Sequence, residues 1–406
     1  MFKAVAGYYK DNERLRLLVK IIAVWLISRA VMLLMVPVMN LIADEPHQWL
    51  YYMNPWDAEW YKGIVENGYQ PPKSSGMASW AFFPLYPLVC MAVRLVTMGS
   101  IDTYAVGMTV SNICIIIAVY YAVKYADIEL DMKKYNKKTV EDIIIFLMLA
   151  GPFAVYYGAM YTEALFILCV ILCFYNSARH NYMAAGIAAA MASATRIVGC
   201  MLVFVLITYM FMETCAECRA KHNSEMKDNK EAGIIDKCML TEEAGILIAG
   251  NISLASVIRT FIKNVIKEPK KLVAIMISPL GIFIYMNYLR YFCGDSWAFY
   301  HVQRAWRTQK MFPVIGVLFK SCTGQLSAAS GVKTLNGIIL GWLCVITLML
   351  YAAMIRKKHY ALGIFGIIVL LIPLTSSVMS TLRFIMGSFV IYIGCLLYTS
   401  DAADEA

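Results

Sequence analysis

Charge is what this sequence has least of. Asp, Glu, Lys and Arg make up 16% of its 406 residues, where soluble domains average near a quarter. With 60% hydrophobic residues and a mean hydropathy of +0.62, a water-soluble chain is excluded and a polytopic membrane protein is expected. Other absences narrow the chemistry. There is no glycine-rich phosphate loop, no Walker lysine motif and no nucleophile elbow, so nucleotide-driven transport and serine hydrolysis have no support. Cys215-Ala-Glu-Cys218, with His222 and Cys238 nearby, is too loosely spaced for a closed four-ligand zinc site, and no metal is expected. The twelve cysteines show no even-spaced secreted framework; most sit in apolar runs as small buried hydrophobes, and nothing demands that Cys293 and Cys322 pair. The net charge of +9 would suggest nucleic acid in a soluble protein. Here Lys and Arg cluster beside apolar runs, where the positive-inside bias explains them, and no nucleic-acid partner is expected.

What is present is a series of apolar runs. Lys3, Lys10, Arg14, Arg16 and Lys20 precede the first, which extends to about residue 42 and is too long for a signal peptide. A cytoplasmic N-terminus then puts residues 43–78 outside, an outer loop with Asp44, Glu45, Asp57, Glu59 and Glu66 against Lys62 and Lys73. Further runs cover 80–97, 103–125, 141–161, 164–178, 183–212, 272–292, 336–355, 360–378 and 384–398. Since 183–212 is long enough for a hairpin of two short spans, about 9–11 transmembrane helices are expected in one all-α domain, 1–406. The charged stretch 213–271 reads as a cytoplasmic insert. Within it Leu254, Val257, Ile258, Phe261, Ile262, Val265 and Ile266 follow helical spacing opposite Arg259, Lys263 and Lys267, an amphipathic helix stopped by Pro269. One step resists: Lys133, Lys134, Lys137 and Lys138 look cytoplasmic, yet two apolar runs separate them from the outer loop. Either 80–97 is partly re-entrant or those lysines depart from the bias.

Asp57 heads the candidate residues. Asn54 can cap a helix, Pro55 suits its first position and Asn67-Gly68 can stop it, so an amphipathic helix is expected over 55–67 in the outer loop. Trp56, Trp60 and Ile64 would share its face, with Tyr61 and Val65 beside them, and the aromatic helix would lie flat at the headgroup level. There Asp57 could be a general base, or a first-turn carboxylate favoured by capping and the helix dipole. Tyr161-Thr162-Glu163 sits where one apolar run meets the next, as a functional group or a solvated turn. Arg196 interrupts the small, apolar AAGIAAAMASATRIVG; burying it alone would cost roughly 2.5–3.5 kcal/mol, so it needs an anion, either Glu163 or a lipid phosphate. Arg383, in SSVMSTLRF, offers the same pair of choices. GDSWAFYHVQRAWRTQKMFP (294–313) presents His301 and Arg304 on one helix face, with Trp306, Arg307 and Lys310, as a phosphate and sugar contact or as interfacial anchors.

Taken in order, PWDAEWYKGIVENGY, AFFPLYPL, GPFAVYYGAMYTEALF, ATRIVG, GDSWAFYHVQRAW and SVMSTLRF resemble the PIG-V family of mannosyltransferases over about residues 20–398. The resemblance implies a GT-C-type glycosyltransferase fold and mannose transfer from a polyprenyl- or dolichyl-phosphate donor to a lipid or glycan acceptor on the outer face of the membrane. It maps the family's loop acid onto Asp57, its tyrosine-acid motif onto Tyr161 and Glu163, and its arginines onto Arg196 and Arg383. No cofactor is implied beyond the lipid-linked donor. The insert 213–271 departs from the pattern, as does the abruptly polar end CLLYTSDAADEA, whose residues 399–406 read as a non-native tail; native C-terminal spans would then be missing. A bacterial cell membrane is the expected location, with the site outside, or the endoplasmic reticulum lumen in a eukaryote. A transporter or flippase of lipid-linked sugars would need similar cations and aromatics, but should show internal repeats, and the two halves show none. A polyprenol-binding scaffold would tolerate Asp57→Asn.

Overall fold

Among the described residues every regular element is a helix. The computed structural model describes residues 12–42, 47–132, 134–231, 253–305, 314–325, 334–375, 378 and 381–404. The first half comprises α1 (Glu13–Ile42), α2 (Trp49–Met53), α3 (Ala58–Asn67), α4 (Leu85–Val96), α5 (Thr103–Glu129), α6 (Lys137–Leu149), α7 (Ala154–Gly158), α8 (Glu163–Ala178), α9 (Tyr182–Ser193) and α10 (Leu202–Glu231). The second half adds α11 (Leu254–Lys267), α12 (Pro269–Ile277), α13 (Leu280–Cys293), α14 (Ala298–His301), α15 (Val314–Cys322), α16 (Thr334–Arg356), α17 (Tyr360–Leu374), α18 (Thr381–Gly387) and α19 (Val390–Asp404). The centre is α8, apolar on all sides and buried almost throughout, as a helix without a polar face must be. It is wrapped by α5, α9 and α10.

Among the described residues, fewer helices have the length and apolarity to cross a membrane than the hydropathy runs suggested. Four are long and apolar enough: Glu13–Ile42, Thr103–Glu129, Ile197–Ser224 and Thr334–Arg356. Two bent pairs, α12 with α13 (42°) and α18 with α19 (74°), raise the number to six at most. The difference from the expected 9–11 arises because several runs are interrupted. Run 141–161 breaks at Gly151-Pro152 into α6 and the five-residue α7. The helices α4, α8, α9 and α17 have 12, 16, 12 and 15 residues. At about 1.5 Å per residue, 12 residues rise about 18 Å, short of a hydrocarbon core of about 30 Å.

The ion pairs sort the helix ends into two layers. One holds Glu13 with Lys137, Lys20 with Asp142, His359 with Glu129 and Lys271 with Glu213. The other holds Glu66 with Thr103 and Arg94. Helix α5 joins them, starting at Thr103 beside Glu66 and ending at Glu129. By contrast, α4 begins with the Leu85 N–H donated to the Ala194 carbonyl (3.0 Å) and ends with Arg94 at Glu66 (3.8 Å), so it returns to the layer it left. Only one crossing therefore lies between the first loop and Lys134, Lys137 and Lys138. The parity conflict disappears, with the 80–97 run as a short non-crossing helix.

Two expectations in the charged insert and the hairpin hold in outline. Residues 183–212 turn at Ala194–Arg196 between α9 and α10. Helix α11 spans the expected amphipathic stretch, burying Val257 and Val265 and packing Phe261 on Phe211. The insert does not begin as a separate unit at 213, because α10 continues unbroken to Glu231. Likewise α19 continues through the polar tail to Asp404.

Thiol labelling with a membrane-impermeant reagent, in a cysteine-depleted background, tests the layers. Ser75→Cys and Ser100→Cys should label from the same side of sealed vesicles and Lys138→Cys from the other, all three positions being exposed. Labelling of positions 75 and 100 from opposite sides would mean that α4 crosses.

Candidate active site

The stretch around Asp57 is not the helical start that its sequence suggests. Helix α3 begins at Ala58, and Asn54 does not cap it. Instead the Asn54 Oδ1 accepts the Met160 N–H (2.7 Å) and its Nδ2 donates to the Leu50 carbonyl (2.9 Å). The Tyr161 hydroxyl donates to the Pro55 carbonyl and accepts the Asp57 N–H (3.1 Å). Residues 54–57 are thereby stapled onto 160–161. Trp56 between them is forced to a φ of +49°, a left-handed conformation that non-glycine residues seldom adopt.

Freed from capping, the Asp57 side chain turns inward. Its Oδ2 accepts a hydrogen bond from Arg383 Nη1 at 2.7 Å. The same guanidinium donates from Nε (2.9 Å) and Nη2 (2.6 Å) to Glu163 Oε1. Arg196 Nη1 donates to that oxygen too, at 2.7 Å. Two carboxylates and two guanidiniums thus alternate as Asp57, Arg383, Glu163 and Arg196, and their formal charges cancel. Glu163 is the buried member, with a side chain 2% exposed, against 33% for Asp57. Placement at the first turn of α8 suits a carboxylate, since the free N–H groups and the helix dipole favour negative charge there. Aromatic faces flank the cations. Arg383 lies over Tyr161 (5.0 Å) and Tyr156 (5.4 Å), and Arg196 over Phe384 (5.0 Å) and Phe166 (5.8 Å).

The local folding that supplies these groups is irregular. Arg196 sits in extended conformation in the turn between α9 and α10. Arg383 lies on α18, a seven-residue half-helix set at 74° to α19, with Phe389 at the break at a φ of +55°. Non-helical backbone at membrane depth survives where protein satisfies it. Here Ser111, itself bonded to the Tyr86 hydroxyl (2.8 Å), donates to the Tyr161 carbonyl at 3.3 Å.

The other expected residues scatter. Tyr61 is buried against Tyr161, with its hydroxyl 3.3 Å from Thr162 Oγ1, so it supports the site from behind. Trp56 stands 74% exposed and stacks on Tyr156, off the helix on which it was expected. Trp60 faces elsewhere, stacked on Phe82 (5.7 Å) with the Lys73 ammonium over it. The buried face of α3 is Ala58, Tyr61, Ile64 and Val65, packed into the bundle, so the expected Trp56–Trp60–Ile64 face is corrected. Glu59 is engaged by the Tyr104 hydroxyl, away from Asp57. His301 pairs with Asp295 Oδ2 (2.7 Å), and the imidazole holds the Asp295 carboxyl below its ordinary range. No contact among the described residues joins that pair to Asp57. The Arg304 side chain, Trp306, Arg307 and Lys310 lie outside the described residues. Cys293 and Cys322 are free thiols. Sequence reasoning missed Asn54 as a staple and Tyr156 as the platform beneath Arg383. Tyr156 lay within a quoted motif but carried no charge to draw notice.

Comparison with known proteins bears on this arrangement. A family model for mannosyltransferases (PIG-V) matches residues 3–232. The chain belongs to this family. A PIG-V mannosyltransferase that spans the membrane with several apolar helices is a membrane glycosyltransferase, and the matched segment includes Asp57, Tyr161, Glu163 and Arg196. The match is shorter than the motif resemblance over residues 20–398, and GDSWAFYHVQRAW and SVMSTLRF, with His301 and Arg383, lie beyond it. No curated protein and no solved structure matches the chain.

The burial contrast between the two carboxylates sets a stability order. Glu163→Gln leaves two guanidiniums without a buried partner and should cost about 3–5 kcal/mol. Asp57→Asn, where Arg383 keeps Glu163, should cost about 1 kcal/mol. Thermal unfolding of detergent-purified variants should show Glu163→Gln melting well below Asp57→Asn; equal melting would contradict the central place given to Glu163.

Proposed function

We propose that the chain transfers mannose from a polyprenyl- or dolichyl-phosphate donor to a hydroxyl of a lipid or glycan acceptor, with inversion at the anomeric carbon. The observation that carries this is the contact of Asp57 with Arg383, itself fixed by a carboxylate shared with Arg196. It sets a proton acceptor beside a cation that can hold a departing phosphate.

The acceptor oxygen attacks C1 of mannose while the bond from C1 to the phosphate oxygen breaks. The acceptor proton passes to the Asp57 carboxylate, and the electron pair leaves on the polyprenyl phosphate. Arg383 and Arg196 stabilise the charge that grows there, in surroundings where water is scarce and a fixed cation counts for more. Arg383 donates to Asp57 Oδ2; a donor phosphate offers Arg383 a second anion, which frees that oxygen for the acceptor hydroxyl. Trp56, exposed over Tyr156, provides an aromatic face for a sugar ring. A retaining route would need a second carboxylate as nucleophile. Glu163 is the nearest candidate, but it is buried and its Oε1 already accepts three N–H groups. The reading places the site on the outer side of a cell membrane, or the lumenal side in a eukaryote. Support comes from Asp57 lying in the layer opposite Lys20, Lys137 and Lys271, which the positive-inside bias assigns to the cytoplasm.

The test is to incubate purified protein with radiolabelled polyprenyl-phosphate mannose and native lipid extract, then identify the labelled product and its anomeric configuration. Asp57→Asn should stay folded and lose roughly 10²–10⁴-fold in kcat. Retained activity in that variant removes Asp57 from the chemistry. Arg196→Ala should lower kcat or raise the donor KM by about 10²-fold with acceptor choice unchanged. A change confined to acceptor preference would contradict the phosphate role.

A further inference from the structure

Helix α1 is the least buried of the four long apolar helices, and its buried residues are only Leu17, Ile21, Ser28 and Arg29. The two polar ones point the same way. Ser28 donates to the Leu149 carbonyl, the last residue of α6, and Arg29 Nη1 donates to the Ala154 carbonyl of α7 at 2.9 Å. One turn earlier the Trp25 indole N–H donates to Asn112 Oδ1 (2.7 Å), whose Nδ2 reaches the Gly158 carbonyl at 3.2 Å. Carbonyls at helix ends have no partner within the helix, and at membrane depth water cannot supply one. Three donors from α1 and α5 thus close the break between α6 and α8.

Arg29 exceeds what that task requires. A neutral side chain would satisfy Ala154 as Ser28 satisfies Leu149, yet a guanidinium 9% exposed is held here. Its Nε and Nη2 find no partner among the described residues. The fit against α7 is close: a Cβ on Gly158 would stand 2.5 Å from Arg29 Nη1 and 2.9 Å from its Cζ. The buried guanidinium also lies against Gly158, the last residue of α7, a helix end where a cation is electrostatically favoured, and the attraction draws that end toward α1. The segment so gripped, 150–162, leads directly into the site. Tyr156 lies under Arg383, Met160 holds Asn54, Tyr161 holds the backbone of Asp57, and Glu163 follows.

We propose that Arg29 is a positioning residue for sugar transfer, clamping the 150–162 turn so that Tyr161 holds Asp57 in line with Arg383. The inference rests on the function proposed above for its kinetic consequence, but the clamp itself can be read without substrate. The full-length protein is purified as wild type, Arg29→Gln, Arg29→Lys, Gly158→Ala and the Arg29→Gln/Gly158→Ala double variant. Amide hydrogen exchange over residues 150–163 and mannosyl-transfer kinetics are measured on each. Arg29→Gln and Gly158→Ala should each raise exchange in that segment and lower kcat roughly 10- to 100-fold, with donor KM within about twofold. Their effects should not multiply in the double variant, since both remove one contact. Arg29→Lys should stay within about threefold of wild type, because only Nη1 of the guanidinium is in use, toward the Ala154 carbonyl and the Met32 sulfur, and the charge is kept. Unchanged exchange in Arg29→Gln, multiplying losses, or a Lys variant as impaired as Gln would overturn the proposal. If wild-type protein transfers no mannose from any donor, the functional reading fails, while the exchange measurements still decide the clamp.

Discussion

A carboxylate with almost no access to solvent governs how this protein is put together. Glu163 can be ionised inside the bundle only if cations reach it, and those cations come from Arg196, in the turn after α9, and Arg383, on a half-helix near the end of the chain. Neither guanidinium is tolerable there without the acid, and the acid is not tolerable without them. Removing one member leaves an uncompensated charge, so the assembly forms as a unit. Its position then dictates where α8 starts, where the α9–α10 hairpin turns and why the chain bends sharply after Gly387. Asp57 joins this frame from outside as the most exposed partner. That difference suits it to exchange partners while Glu163 stays fixed.

The frame explains why so many helices are short. Side chains that meet at one level need backbone that ends there. The breaks at Gly151-Pro152, Ala194–Arg196 and Ser388-Phe389 deliver Tyr161, Arg196 and Arg383 to one place. Each break exposes carbonyls that must be satisfied by protein. Between α6 and α8, Ser28, Arg29, Asn112 and Ser111 carry out that work, and they lie on the long helices α1 and α5. Long spans act as scaffolding for broken ones. A charged layer within an apolar bundle requires both kinds.

The sequence made the charged participants legible and hid their partners. A carboxylate at 57, an acid at 163 and arginines at 196 and 383 stand out because ionic residues are scarce in apolar surroundings, and rarity marks function there. The hairpin at Arg196 and the amphipathic helix over Leu254–Lys267 were legible from periodicity and length. The number of spans was not, because hydropathy sums apolar residues without registering where a helix stops. A two-residue interruption such as Gly151-Pro152 barely lowers the average over a run of twenty. Asn54 looked like a cap since its neighbours permit one. What overrode that preference was the Met160 N–H, more than a hundred residues away and invisible to local rules. For the same reason the sequence offered Arg196 either Glu163 or a lipid phosphate and could not decide between them.

Local preference and tertiary demand collide most openly at residues 54–57. Asn-Pro-Trp-Asp would start a helix comfortably, with the acid in the first turn where the helix dipole rewards it. The structure forgoes that gain and accepts a left-handed Trp56, a conformation costing on the order of 1–3 kcal/mol. Had Asp57 served only to begin α3, the relaxed arrangement would have won, since nothing in capping requires the Tyr161 staple or the Arg383 contact. Strain persists only where surrounding bonds over-determine it, and here the Met160, Tyr161 and Arg383 bonds do so together. The helix start has been given up in order to aim one carboxylate.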